Sequence, residues 1–152
     1  ARKMISQPAP AFSLKNLKGE TVSLESLRGK VVVIDFWATW CGPCKASFPG
    51  MQKSQEQHKN DPQVAYVFID CWEKGDAKEK NASEFIKSKN YPFNVLMDNE
   101  DKVVASYGVS GIPTKFVVDK NGNIRFKSVG FGGEESLVQE LGLMIDLAKA
   151  QP

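Results

Sequence analysis

With 152 residues, 41% of them hydrophobic and 25% charged, the chain is long enough to bury a core as one domain without staples. The net charge is only +2, and no basic stripe is interleaved with aromatics, which argues against nucleic acid as a partner. No apolar run reaches transmembrane length and no secretory signal is visible. The start at Ala1-Arg2-Lys3-Met4 carries no information about compartment, and three cysteines are too few for a disulfide scaffold.

Residues 1–7 read as an extended lead-in, with the core spanning about 8–148 of a single domain, 1–152. Phe12-Ser13-Leu14 and Thr21-Val22-Ser23-Leu24 are short alternating runs around Asn16-Leu17-Lys18-Gly19, which predicts a β-hairpin. A turn of helix follows at Ser26–Arg28, closed by Gly29. Val31-Val32-Val33-Ile34-Asp35-Phe36 is a mostly apolar, β-branched run and reads as a buried parallel strand. Helical spacing then runs from Pro43 to about Lys59, with Pro49 expected to kink it. Val64–Asp70 is a second apolar strand, Cys71–Lys80 a charged loop, and Ala82–Lys89 a helix burying Phe85 and Ile86. Asn94–Met97 is a short strand and Glu100–Tyr107 a short helix. Lys115–Asp119 and Asn123–Val129 flank Lys120-Asn121-Gly122, a strong hairpin signal. Leu137, Leu141, Met144, Ile145 and Ala148 at helical spacing mark Glu134–Lys149 as a closing amphipathic helix. The pattern predicts one α/β fold, a central mixed sheet flanked by helices with an added N-terminal hairpin.

The chemistry centres on Trp40-Cys41-Gly42-Pro43-Cys44, where strand hands over to helix. Pro43 suits a first helical turn, and Gly42 is read as permitting a tight turn. Cys41 then lies at the helix N-terminus, where free N–H groups and the helix dipole favour a thiolate. Cys44 lies one turn further in, close enough to close a disulfide, with Cys41 outside as attacker and Cys44 underneath as resolver. A structural zinc site usually needs four ligands, and the chain offers three cysteines and His58. An inert structural disulfide rarely needs a two-residue spacer.

Phe36–Cys44 with Pro49, together with Gly111-Ile112-Pro113-Thr114 before a strand, resembles the thioredoxin superfamily. Pro8-Ala9-Pro10-Ala11-Phe12, the added hairpin and the segment between Cys71 and Phe93 resemble its TlpA/ResA branch of thiol-disulfide oxidoreductases. The resemblance covers about Pro8 to Ala148. It implies a thioredoxin-like fold and reduction of disulfides in other proteins through Cys41 and Cys44. No cofactor is implied beyond the redox-active disulfide. It further implies an upstream electron donor, a monomer, and a domain exported or tethered to a membrane. The implied location is the bacterial periplasm or the outer face of the cytoplasmic membrane, with the cytoplasm left open. Gly42-Pro43, Asp35 and Ile112 depart from the branch towards ordinary thioredoxin and favour a broad disulfide reductase over a narrow role in cytochrome maturation. Disulfide oxidase or isomerase is the alternative direction.

Asp35 interrupts an apolar strand; burial should raise its pKa and make it the base that deprotonates Cys44. Trp40 is read as part of an apolar rim for substrate protein and Trp37 as packing. The resemblance implies a cis Pro113, holding the Ile112 backbone opposite Cys41 so that an extended substrate segment pairs with it. It also implies a tuning role for Glu73. Cys71 is read as a small, partly buried residue and His58 as a surface residue. A peroxidase array Pro-x-x-x-Thr-x-x-Cys does not fit: Ile34 and Ala38 precede Cys41, and Trp37 and Cys41 precede Cys44, at the required spacings. Thioredoxin-like copper chaperones add a late histidine, and none follows His58.

Overall fold

The computed structural model describes residues 3–152. Its elements in chain order are β1 (Gln7–Pro8), β2 (Ser13–Lys15), β3 (Thr21–Ser23), a 3-10 turn (Glu25–Leu27), β4 (Val31–Trp37), α1 (Gly42–Gln57) and β5 (Val64–Asp70). Then come α2 (Lys78–Lys89), β6 (Val95–Met97), α3 (Lys102–Ser106), β7 (Thr114–Val118), β8 (Asn123–Val129) and α4 (Glu134–Lys149).

Six strands form one mixed sheet in the order β1-β8-β7-β4-β5-β6. β4, β5 and β6 run parallel, while β7 is antiparallel to both β4 and β8. β4 lies inside this sheet, and every one of its residues is buried. Such a strand has no solvent face and so reads as continuous apolar sequence. Alternation along it assigns the two cores. Val31, Val33 and Trp37 join Phe48 and Met51 of α1 and Leu141 and Ile145 of α4 on one face. Val32, Ile34 and Phe36 join Phe12, Val104 of α3 and Tyr107 on the other. Asp35 has the parity of Val33 and Trp37, so it faces the core beneath α1.

The lead-in is more ordered than expected. Gln7 and Pro8 pair with Ile124 and Asn123 as an edge strand. Ile5 N–H donates to the Arg125 carbonyl and Ala9 N–H to the Gly122 carbonyl. An edge position tolerates Pro8 because no neighbouring strand needs its missing N–H. The N-terminal hairpin forms a separate two-stranded sheet, joined to β6 by the bridge Asn16–Leu96. α2 starts at Lys78, ahead of the expected Ala82, because its first turn is charged and solvated and carries no apolar signal. α3 is shorter than Glu100–Tyr107: Asp98 and Asp101 form the turn before it, and Asp98 accepts the N–H groups of Val103 and Val104. α1 runs through Pro49 as one helix. At Gly50 it crosses α4 so closely that a Cβ would stand 3.0 Å from Leu137 Cδ2. The β7–β8 turn has Gly122 at φ +85°, with Asp119 Oδ1 accepting from Asn121 N and Asn123 N.

Candidate active site at the start of α1

Cys41 is the N-cap of α1, with extended backbone, and its Sγ accepts from the Cys44 N–H at 3.2 Å. The sulfur thus occupies the place where a capping oxygen ordinarily stands. Cys41 and Cys44 are joined as a disulfide. Pro43 lies in the first turn, where its lack of an N–H costs little. The expected exposure of Cys41 needs correction. It is only 4% exposed and belongs to the same buried core as Trp37, though Cys44, at 0%, is still the deeper of the two. Gly42 also differs from expectation. It is the first helical residue rather than a positive-φ turn, and a Cβ there would meet nothing within 4 Å. Its backbone does not need glycine; the missing side chain leaves the ground before Cys41 open.

The Ile112–Pro113 bond is cis. It brings the Ile112 carbonyl to 3.8 Å from Cys41 Sγ. Thr114 Oγ1 donates to the Gly111 carbonyl, and the Pro113 carbonyl accepts from Gly130 N–H, tying this loop to β8. Trp40 is 54% exposed beside the dithiol, whereas Trp37 is fully buried against Phe48.

Asp35 is wholly buried. Lys115 of β7, its antiparallel register partner, reaches 3.6 Å from Asp35 Oδ1 and is itself buried. That contact is longer than a hydrogen bond, and neither Asp35 oxygen has a hydrogen-bond partner among the described residues. Burial pushes the Asp35 pKa up to about 6, with the Lys115 charge pulling the other way. The Lys115 ammonium donates to Ser47 Oγ at 3.4 Å, and Ser47 Oγ donates to the Cys44 carbonyl at 2.7 Å. Asp35 is therefore linked through two buried polar groups to the turn that carries Cys44. Sequence reasoning missed Lys115 and Ser47. The signal for Lys115 was a lone cation in the apolar run Lys115–Val118, at the same kind of position as Asp35 in its own strand.

Glu73 reaches the site through the backbone. Its Oε2 accepts from Thr39 N at 2.7 Å and its Oε1 from Thr39 Oγ1 at 2.6 Å. Next to it, the Trp72 carbonyl accepts from Trp40 Nε1 at 2.8 Å. Cys71 is fully buried, its Sγ 3.6 Å from the Trp37 carbonyl, and burial with the surrounding carboxylates pushes its thiol up. His58 is half-buried rather than on the surface. Its Nδ1 lies 2.9 Å from the Ser54 carbonyl and 3.0 Å from the Tyr66 hydroxyl, at the far end of α1. Among the described residues no group of three His, Cys, Asp or Glu is arranged to hold a metal.

A disulfide at a helix N-terminus, on a thioredoxin-like mixed sheet beside a cis-proline loop, defines a dithiol redox protein by its site. The AhpC/TSA family model matches residues 5–127, and the chain belongs to that family. Thioredoxin-like protein YneN of Bacillus subtilis is 36% identical over 90% of this chain and 78% of its own length. Thiol-disulfide oxidoreductase ResA of Bacillus cereus is 32% identical over 90% of this chain and 76% of its own. A Chlorobium tepidum structure, provisionally described as the thiol:disulfide interchange protein DsbE, superposes with a TM-score of 0.82 at 35% identity. That match covers 94% of this chain and 96% of the other.

Proposed function

We propose that this chain is a thiol-disulfide oxidoreductase that reduces disulfides in other proteins. The observation that carries the reading is the Cys41–Cys44 pair at the N-cap of α1, with the Ile112 carbonyl 3.8 Å from Cys41 Sγ. In the reduced protein, the helix N-terminus and the Cys44 N–H stabilise Cys41 as a thiolate. The Cys41 thiolate attacks one sulfur of a substrate disulfide; that S–S bond breaks, and the other substrate sulfur leaves as a thiolate. Asp35 accepts the Cys44 proton, and the new Cys44 thiolate attacks Cys41 Sγ. The mixed disulfide breaks, the second substrate sulfur leaves, and two electrons have passed to the substrate. Trp40, Gly42 and Pro43 bound the approach, and the Ile112-Pro113 backbone pairs with the substrate segment. Glu73 holds Thr39 and so tunes the turn.

The chain works as one domain over 1–152 and as a monomer, needs no bound cofactor, and takes electrons from an upstream donor. No described helix is long and apolar enough to cross a membrane. The TlpA/ResA resemblance supports a site of action in the bacterial periplasm or at the outer face of the cytoplasmic membrane.

Two features favour the reducing direction: a Gly42-Pro43 spacer without donor side chains, and the negative charge of ionised Asp35. Equilibration with glutathione or dithiothreitol buffers should return a potential near that of thioredoxin, about −270 mV. A value of about −120 to −180 mV would make the protein an oxidase or isomerase. Trapping with Cys44→Ser should accumulate mixed disulfides with substrate proteins.

A further inference from the structure

Asp70, the last residue of β5, is buried, and both of its carboxylate oxygens lack a hydrogen-bond donor among the described residues. It sits opposite Trp37 in register. Glu73, three residues further on, is the acidic side chain that acts on it most strongly. Glu73 is itself an acceptor at both oxygens, holding Thr39 N and Thr39 Oγ1. Two carboxyl groups in that relation share a hydrogen bond only if one of them carries a proton. Glu73 faces two donors and Asp70 faces none, so the proton resides on Asp70. The charges around Asp70 agree: Glu73 and Asp101 are both acidic and raise it, against the opposing charge of Lys78. Burial first, then these anions, pushes its pKa up to about 10.

The consequence reaches the dithiol through one short stretch of chain. The Cys71 N–H donates to the Trp37 carbonyl, Glu73 holds Thr39, and the Trp72 carbonyl holds Trp40 Nε1. Trp72 takes a φ of +55°, uncommon for a bulky residue, and its N–H donates to Asp101 Oδ1. The segment after β5 thus grips the segment before Cys41 at each of its turns.

We propose that Asp70 is a positioning residue: a buried carboxylic acid that donates its proton to Glu73, locks Glu73 as a two-point clamp on Thr39, and so sets Trp40 beside Cys41. The proposal rests on the oxidoreductase reading for its functional consequence, while the proton on Asp70 is checked without any activity assay.

The direct test is infrared spectroscopy at mildly alkaline pH, where Asp35, at about 6, is ionised. Wild type should show the carbonyl stretch of a protonated acid, and Asp70→Asn should lose it. The second test is kinetic. Asp70→Asn keeps a donor to Glu73, so its KM for a protein disulfide should stay near the wild-type value. Asp70→Leu removes the donor and should raise KM about tenfold with kcat little changed, the loss of one hydrogen bond to a charged acceptor. A missing infrared band in wild type overturns the proposal, as does an Asp70→Asn variant whose KM rises as far as that of Asp70→Leu. If wild type reduces no protein disulfide, the functional reading fails, and the infrared result still decides the state of Asp70.

Discussion

Two buried aspartates stand on adjacent parallel strands, and they have become chemical opposites. Asp35 lies within β4 and Asp70 ends β5; both are buried and neither has a hydrogen-bond donor at its oxygens among the described residues. Desolvation raises both. What separates them is the sign of the nearest charge. Lys115 at 3.6 Å restrains Asp35 to about 6, while Glu73 and Asp101 help carry Asp70 to about 10. At neutral pH the first is mostly a carboxylate, fit to accept a proton, and the second an acid, fit to donate a hydrogen bond. Burial alone does not make a base; the neighbouring charge decides.

The largest effect should come from neither aspartate. Cys41→Ser should reduce insulin turnover to background while the protein stays folded, since the nucleophile is gone. Substantial residual reduction would move the chemistry away from the dithiol. Asp35→Asn should slow turnover by about a hundredfold, the range of a positioned proton acceptor, yet leave the first step, mixed-disulfide formation, intact. An unchanged rate at neutral pH would reduce Asp35 to a structural residue and erase the contrast with Asp70. On sequence alone the same variant should gain stability by losing a buried charge. Lys115 changes that expectation, because the substitution leaves a buried ammonium without its anion.

Lys115→Met should act in between. Removing the cation lifts Asp35 further, so the acid limb of the kcat profile should move to higher pH. For a rise of roughly one pKa unit, turnover should fall by about twofold at neutral pH and by about tenfold on the acid limb well below pH 6. A profile that does not move would show that Lys115 does not set the charge of Asp35.

Stability sharpens the comparison by its pH window. Each aspartate has a folded pKa above the unfolded value of 3.8, so each favours the folded state fully below that value and progressively less as pH rises through its folded pKa. For Asp35 the loss ends near pH 6, at about 3 kcal/mol. For Asp70 it continues towards pH 10. Urea unfolding of Asp70→Asn should therefore show a stability gain over wild type that still widens above neutral pH; a gain that levels off near pH 6 would place Asp70 with Asp35. The smallest effect belongs to Cys71→Ser, which should keep most of the activity. Peptide mapping that joins Cys71 to Cys41 or Cys44 after oxidation would make the two-cysteine mechanism incomplete.

Much of the framework was legible because it is written in local periodicity. The run Val31–Phe36, the Cys-x-x-Cys at its end, the hairpin around Lys120-Asn121-Gly122 and the stripe along Glu134–Lys149 all appear where their patterns put them. The cysteine spacing and Pro43 were sufficient to place Cys41 at a helix start, and Asp35 announced itself as a charge inside an apolar strand. Less legible were elements without an apolar signature, such as Gln7–Pro8, which becomes a strand only because β8 offers it an edge.

The partners of the buried charges were settled by packing. Lys115 follows Asp35 by eighty positions, and only the antiparallel register of β4 and β7 sets them opposite each other. Asp70 looked like the polar end of a strand, and Glu73 like a loop charge with a family precedent. The proton we assign to Asp70 depends on how the chain turns after β5 and on how deeply that turn is covered. Strand and helix periods are properties of a few consecutive residues, whereas an electrostatic environment is a sum over everything folded against a group. Cys-x-x-Cys therefore identified the chemistry, but the opposite charge environments of Asp35 and Asp70 were decided where β4, β5 and β7 meet.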